Sequence, residues 1–123
     1  MQRALVPLVA VLASVVAGCG DDDASSAPAA EVGADGSVTI VAEDLSFDPE
    51  RVSAPIGTVE ITLDNRDDGV AHNIVVTGNG VDAGTELERG PVSQELAVEF
   101  PEAGSYSFVC EIHPPMKGTF EVG

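Results

Sequence analysis

The stretch CEIHPPM, from Cys110 to Met116, places a thiol, an imidazole and a thioether close together in the sequence. All three side chains carry lone pairs that soft or borderline metal ions accept. Pro114 and Pro115 separate His113 from Met116, and the residue before a proline is disfavoured in helical geometry. We therefore expect a rigid, hairpin-like turn that directs His113 and Met116 toward the same point as Cys110.

A second histidine, His72, lies in the alternating segment AHNIVVT. It shares one face of the predicted strand with Ile74 and Val76, so its imidazole is expected to point inward. Cys110 shares a face with Phe108 and is expected at the inner end of another strand. Two imidazoles, one thiolate and a weak thioether are the ligand set of a mononuclear copper electron-transfer site. Zinc is the chemical alternative, although structural zinc sites seldom use methionine.

Alternating apolar and polar residues recur along the chain from residue 37 onward, in the segments SVTIVA, TVEITLD, AHNIVVT, SQELAVEF, SYSFVC and GTFEV. This period is typical of half-buried β-strands, and the prolines and glycines between the segments indicate turns. No later segment has the pattern of an amphipathic helix. We predict an all-β domain over residues 37–123, a small sandwich or barrel of antiparallel type. Residues 77–93 give no clear pattern.

The N-terminus has the form of a secretory signal over residues 1–18, because Arg3 precedes an apolar run too short to span a membrane. The run ends in VAGC, which resembles the lipobox of bacterial lipoproteins. That resemblance implies that Cys19 is lipidated and anchors the protein to a membrane; an uncleaved anchor or a chance cysteine is the alternative. Residues 19–36 are rich in Asp, Ala, Ser and Gly and indicate an acidic, flexible tether.

The net charge of the chain limits the classes of partner that it can bind. Formal net charge is -16, from 21 acidic and 5 basic residues, which argues against nucleic acid or an anionic membrane surface as a partner. The acidic surface either attracts a basic protein or keeps the chain soluble in salt.

The chain has two cysteines, so a lipidated Cys19 leaves Cys110 unpaired. A metal bond or deep burial would protect that thiol in an oxidising compartment.

Three segments resemble the cupredoxin family, in particular plastocyanin-like and amicyanin-like members. They are SFDPERVSAPIGTVEITLDN near the start of the domain, AHNIVV around the first histidine, and YSFVCEIHPPMKGTFEV at the end. The spacing Cys-x₂-His-x₂-Met is the short form found in amicyanin. The resemblance implies a small Greek-key β-sandwich or barrel and one type 1 copper ion, with His72, Cys110, His113 and Met116 as ligands. It also implies that Asn73 hydrogen-bonds across to the ligand loop and braces it.

The function implied is that of a monomeric, membrane-tethered blue copper protein outside the cytoplasmic membrane. It would pass single electrons between redox proteins, such as a cytochrome or an oxidoreductase. We expect no enzymatic turnover, because four protein ligands leave no open position on the metal. Two alternatives stay open: a lipoprotein that binds and delivers copper through the same ligands, and a metal-free β-sandwich that binds another protein.

Overall fold

The computed structural model describes residues 29–123, and within this range the chain consists of β-strands, turns and loops without a helix. The predicted signal peptide and Cys19 lie outside the described residues. No helix in the described part is long and apolar enough to cross a membrane. The strands are β1 Ala30–Glu31, β2 Ser37–Glu43, β3 Ser46–Asp48, β4 Arg51–Ala54, β5 Gly57–Asn65, β6 Ala71–His72, β7 Val75–Gly78, β8 Val81–Gly84, β9 Glu88–Arg89, β10 Val92–Phe100, β11 Gly104–Cys110 and β12 His113–Val122.

Two sheets pack face to face around one core, which confirms the all-β sandwich prediction. One sheet has the strand order β1-β4-β12-β11-β7-β8 and the other the order β10-β5-β2-β3. Aromatic rings from the two sheets meet between them: the centroids of Phe100 and Phe120 are 5.2 Å apart, and those of Phe47 and Phe108 are 5.4 Å apart. A separate two-stranded ribbon, β6 with β9, lies at one end of the sandwich and carries His72.

Strand direction departs from a purely antiparallel arrangement. The pairs β1–β4, β4–β12 and β2–β5 are parallel, whereas the other pairs of strands in the described part are antiparallel. Alternate side chains point to opposite faces in both kinds of ladder, so apolar alternation within one strand does not reveal the direction of its neighbour. The sequence pattern therefore identified the buried faces without identifying the parallel pairs.

The first strand lies upstream of residue 37, where the sequence placed the start of the domain. Ala30 and Glu31 pair with Val52 and Ser53 on the edge of the six-stranded sheet. The last part of the segment predicted as tether thus adds a short strand to the fold. Its pairing uses backbone groups, so its Ala- and Gly-rich composition gave no sign of it.

The two segments nearest the candidate ligands also differ from their sequence-based description. Residues 113–116 belong to strand β12, and the turn before them is limited to Glu111 and Ile112. A register shift between Val109 and Cys110 brings Cys110 opposite His113, which makes this tight turn possible. Residues 77–93, for which no structure was predicted, contain β8 and β9, and β9 pairs with the strand that carries His72.

Candidate metal centre

The end of strand β11 positions the thiol of Cys110. Tyr106, Phe108 and Cys110 alternate along the strand and are all buried, so the sulfur lies at the inner end of a continuous apolar row. Cys110 pairs with His113 across the Glu111–Ile112 turn. The hairpin therefore brings a thiol and an imidazole together through backbone pairing alone.

The ribbon β6–β9 positions His72 from the other side of the site. His72 pairs with Glu88, and its side chain is fully buried, as the alternation with Ile74 and Val76 predicted. The strand ends directly after His72 and resumes at Val75, so the segment read as one strand in the sequence is two. The break leaves Asn73 and Ile74 outside any strand, yet both are buried.

The donor atoms of His72, Cys110 and His113 converge, all within 4.8 Å of one another. The two Nδ1 atoms are 3.2 Å apart, and Cys110 Sγ lies 3.5 Å from Nδ1 of His113 and 4.0 Å from Nδ1 of His72. With metal–nitrogen bonds of about 2.0 Å and metal–sulfur bonds of about 2.3 Å, a three-ligand plane needs a nitrogen–nitrogen separation of about 3.5 Å and sulfur–nitrogen separations of about 3.7 Å. The three observed separations each lie within about 0.3 Å of these values. The cluster therefore fits one metal ion at its centre.

Met116 supplies the thioether of the candidate site. It is 1% exposed and belongs to the same buried cluster as Cys110, on the strand that begins at His113. A thioether is a soft, weak donor that accompanies His₂Cys in copper sites and suits zinc poorly. The donor set, with one thiolate and one thioether beside two imidazoles, thus favours copper.

The second ring nitrogen of His72 has a partner that sequence reasoning missed. Nε2 of His72 lies 2.7 Å from Oδ2 of Asp67, whose side chain is 13% exposed. This hydrogen bond, followed by backbone N–H donors of Asp44 and Leu45, holds the pKa of the Asp67 carboxyl below its usual value, although partial desolvation opposes the shift. A charged carboxylate at Nε2 places the imidazole proton there and leaves the lone pair on Nδ1, toward the cluster.

Asn73, for which the resemblance implied a hydrogen bond to the ligand loop, joins the His72 side of the site to the ligand hairpin. Its Oδ1 accepts the backbone N–H of Glu111 at 3.0 Å. Its Nδ2 donates to Oε2 of Glu111 at 2.8 Å and to the carbonyl of Thr85 at 3.2 Å. The Asn73 side chain is fully buried and these bonds pair both of its polar ends, so it connects three segments around the cluster.

A second buried amide, Asn65, shapes the turn that leads to His72 and was not identified from the sequence. Nδ2 of Asn65 donates to the carbonyls of Val70 and Glu88, at 2.9 and 3.1 Å. Its Oδ1 accepts the backbone N–H of Asp67 at 3.0 Å. The position of Asn65 at the end of an alternating strand could have indicated a turn, but its contact with Glu88 joins residues 23 positions apart and has no sequence signal.

The four candidate ligands differ in their access to solvent. His72, Cys110 and Met116 are buried, whereas His113 is partly exposed. The residues beside it form an apolar rim that reaches solvent: Ile112, which is 50% exposed, and the exposed Pro114 and Pro115. His113 is thus the one candidate ligand that is not buried.

Comparison with known proteins places these features in a family. Residues 9–122 match the model of the family described as "Cupredoxin-like domain". No match was found among curated proteins.

Several solved structures share the fold. Auracyanin from Roseiflexus castenholzii is 23% identical, with 74% of this chain and 99% of that chain covered and a TM-score of 0.64. Auracyanin A, a "blue" copper protein from Chloroflexus aurantiacus, is 21% identical, with 71% and 98% covered and a TM-score of 0.62. A reduced Cu(I) form of an amicyanin mutant is 22% identical, with 74% and 86% covered and a TM-score of 0.58.

The role of Met116 can be tested by Met116→Leu. We expect this variant to keep copper but to have a reduction potential raised by roughly 60 mV or more, the equivalent of a tenfold loss in relative Cu(II) affinity. The reason is that removing a weak axial donor disfavours Cu(II). Cyclic voltammetry measures the shift, with the core substitution Ile61→Leu as control. An unchanged potential in Met116→Leu would show that the thioether is not a ligand.

Proposed function

The chain belongs to the cupredoxin-like domain family, and on this basis we propose that it is a type 1 blue copper protein that carries single electrons between redox proteins. The observation that carries the proposal is the convergence of Nδ1 of His72, Sγ of Cys110 and Nδ1 of His113 within 4.8 Å. With Met116 buried beside them, these side chains would hold one copper ion. Bound copper would supply a reversible one-electron change between Cu(I) and Cu(II).

The protein's own part in electron transfer is to keep the ligands in place while the charge of the site changes. Asn73 and Asp67 hydrogen-bond the segments that carry the ligands, and backbone pairing fixes Cys110 opposite His113. A site that rearranges little between two oxidation states exchanges electrons with a small barrier. Blue copper chemistry in auracyanin A and a Cu(I) form of amicyanin, two proteins of the same fold, agree with this proposal.

Electron transfer fits the site better than the alternative of copper delivery. Delivery requires the ion to leave readily for an acceptor, but three of the four ligands are buried. Hydrogen bonds from Asp67 to His72 and from Asn73 to Glu111 also hold the ligand-bearing segments in place. Four protein ligands would also leave no position for a substrate, so we propose no enzymatic turnover.

Copper titration of the purified protein tests the metal assignment. Adding Cu(II) should produce the intense visible absorption of a copper–thiolate bond at one equivalent. Cys110→Ser should abolish the band, because a hydroxyl cannot replace the thiolate; Ser107→Ala, an outward-facing change on the same strand, should keep it. A colourless wild-type complex would rule out the electron-transfer proposal. Rapid loss of the bound copper to a chelator, despite the band, would favour delivery.

We further propose that the protein is a monomer held outside the cytoplasmic membrane by a lipid on Cys19. The support is the sequence VAGC after an apolar segment, with the acidic run that follows serving as the tether. More than one acyl chain is needed for stable attachment. Mass spectrometry of the mature N-terminal peptide tests this: an unmodified Cys19, or a chain that still begins at Met1, would contradict it.

The docking face for the redox partner is proposed at the partly exposed His113. The rim of Ile112, Pro114 and Pro115 is apolar, which suits a small, transient interface. A partner seated there would lie one imidazole away from the metal. The buried ligands would stay out of contact with both partner and water.

Pro115→Glu tests this face, because a charge in the rim must be desolvated on docking. We expect it to slow oxidation of the reduced protein by a basic c-type cytochrome about tenfold, with the copper spectrum unchanged. Stopped-flow absorption measures the rate at high ionic strength, which screens the added charge at a distance. The control is Pro101→Glu, an exposed proline at the opposite end of β11. Equal rates for both variants would place docking elsewhere.

A further inference from the structure

We propose that Asp67 is a positioning residue that fixes the ring orientation and the proton of His72 and links this ligand to the turn between β2 and β3. The inference rests on the proposed metal site, to which it adds a determinant outside the four ligands. Asp67 lies in the loop after β5, five residues before His72, and its backbone N–H is itself held by Oδ1 of Asn65 at 3.0 Å.

One carboxylate serves three N–H groups from two separate segments. Oδ1 of Asp67 accepts the backbone N–H of Asp44 at 2.8 Å, and Oδ2 accepts that of Leu45 at 3.2 Å. Oδ2 also lies 2.7 Å from Nε2 of His72. Because these bonds share one rigid planar group, a shift of the turn moves the atom that orients the imidazole.

The turn that Asp67 caps is a strained one. Asp44 and Leu45 have φ values of 53° and 59°, in the left-handed region that glycine usually occupies. Leu45 lacks the short polar side chain that eases this conformation in Asn or Asp, so its backbone needs support from outside. The Asp67 carboxylate provides it at both N–H groups, which explains why the turn forms without glycine.

A neutral amide could not replace this carboxylate. An asparagine at position 67 offers one acceptor oxygen and one donor NH₂ group. With the oxygen toward Asp44, the NH₂ group would face the N–H of Leu45 and the Nε2–H of His72. With the oxygen toward Leu45 and His72, the NH₂ group would face the N–H of Asp44. In either orientation at least one of the three hydrogen bonds is lost.

The consequence for the site concerns which ring nitrogen carries the proton. A carboxylate at Nε2 selects the Nε2–H form of His72, whose Nδ1 lone pair then faces Sγ of Cys110 and Nδ1 of His113. Hydrogen bonding of a ligand imidazole to a carboxylate also increases its basicity, which favours Cu(II) over Cu(I). Asp67 would thus prepare His72 for the metal before the metal arrives.

The first test needs no copper. Nitrogen-15 NMR of the metal-free wild-type protein at mildly alkaline pH should show His72 in the Nε2–H form. Asp67→Asn should change at least one of three signals. These are the tautomer of His72 and the hydrogen-exchange rates of the backbone amides of Asp44 and Leu45, with a change in rate meaning an increase of at least tenfold. Asp68→Asn is the matched control, since it removes the same charge from an exposed neighbour and should change none. Asp67→Ala should change all three.

A copper measurement extends the test to the metal. Asp67→Asn should bind Cu(II) about tenfold or more weakly and show a raised reduction potential, whereas Asp68→Asn should match the wild type. The inference is overturned if wild-type His72 is in the Nδ1–H form, or if Asp67→Asn and Asp68→Asn behave alike. The nitrogen-15 NMR spectrum of the metal-free wild type decides the tautomer of His72 even if the variants fail to fold. Failure of the wild type to bind copper would refute the proposed function, while the metal-free tautomer would still test Asp67.

Discussion

The approach of two imidazole nitrogens to 3.2 Å, with a thiol sulfur beside both, is the constraint on which this end of the molecule depends. Polar groups that are brought this close in a buried place lose hydrogen bonds to water, so the arrangement has to be imposed by the surrounding fold. Each donor comes from a different local structure: the end of β11, the start of β12, and a two-stranded ribbon outside the main sheets. Their convergence is a property of the sandwich, because no short peptide contains all of them.

Hydrogen bonds from side chains around the cluster hold this geometry together with the apolar packing of the core. Asn65, Asp67 and Asn73 each pair the polar atoms at the end of their side chains, and each makes at least one of these hydrogen bonds to a residue 23 or more positions away. Among buried side-chain nitrogen and oxygen atoms of the described residues, the one without a partner is Oε1 of Gln94, which belongs to strand β10. The polar network around the cluster is therefore complete, and complete buried networks are the ones that fix a single geometry.

Sequence patterns predicted the parts of this structure that repeat or that cluster in the chain. The period-2 alternation identified the buried faces of the long strands, and the spacing CEIHPPM brought three ligands to one hairpin. Asp67 and Asn65 could not be found in this way, because their contacts with Asp44, Leu45 and Glu88 join residues 22 or 23 positions apart. In addition, 21 acidic residues make any one aspartate inconspicuous. The parallel pairs, strand β1 and the ribbon β6–β9 depend on backbone hydrogen bonds, which the alternation of side chains does not predict. The two prolines suggested a loop, but strand β12 includes them.

The distribution of apolar surface explains how a strongly acidic protein could offer a specific contact. Four large hydrophobic residues of the described part are well exposed, and three of them are connected to the candidate ligands or their supports. The backbone N–H of Leu45 donates to Asp67, Leu87 precedes Glu88, the strand partner of His72, and Ile112 precedes His113. The fourth, Ile56, lies in the turn before β5, at the other end of that strand from Asn65. A net charge of -16 opposes close approach by copies of the chain and by other acidic proteins. The proposed docking face at His113 would therefore favour partners that present a basic or neutral apolar surface, and His113 is the one imidazole of the cluster that is not buried.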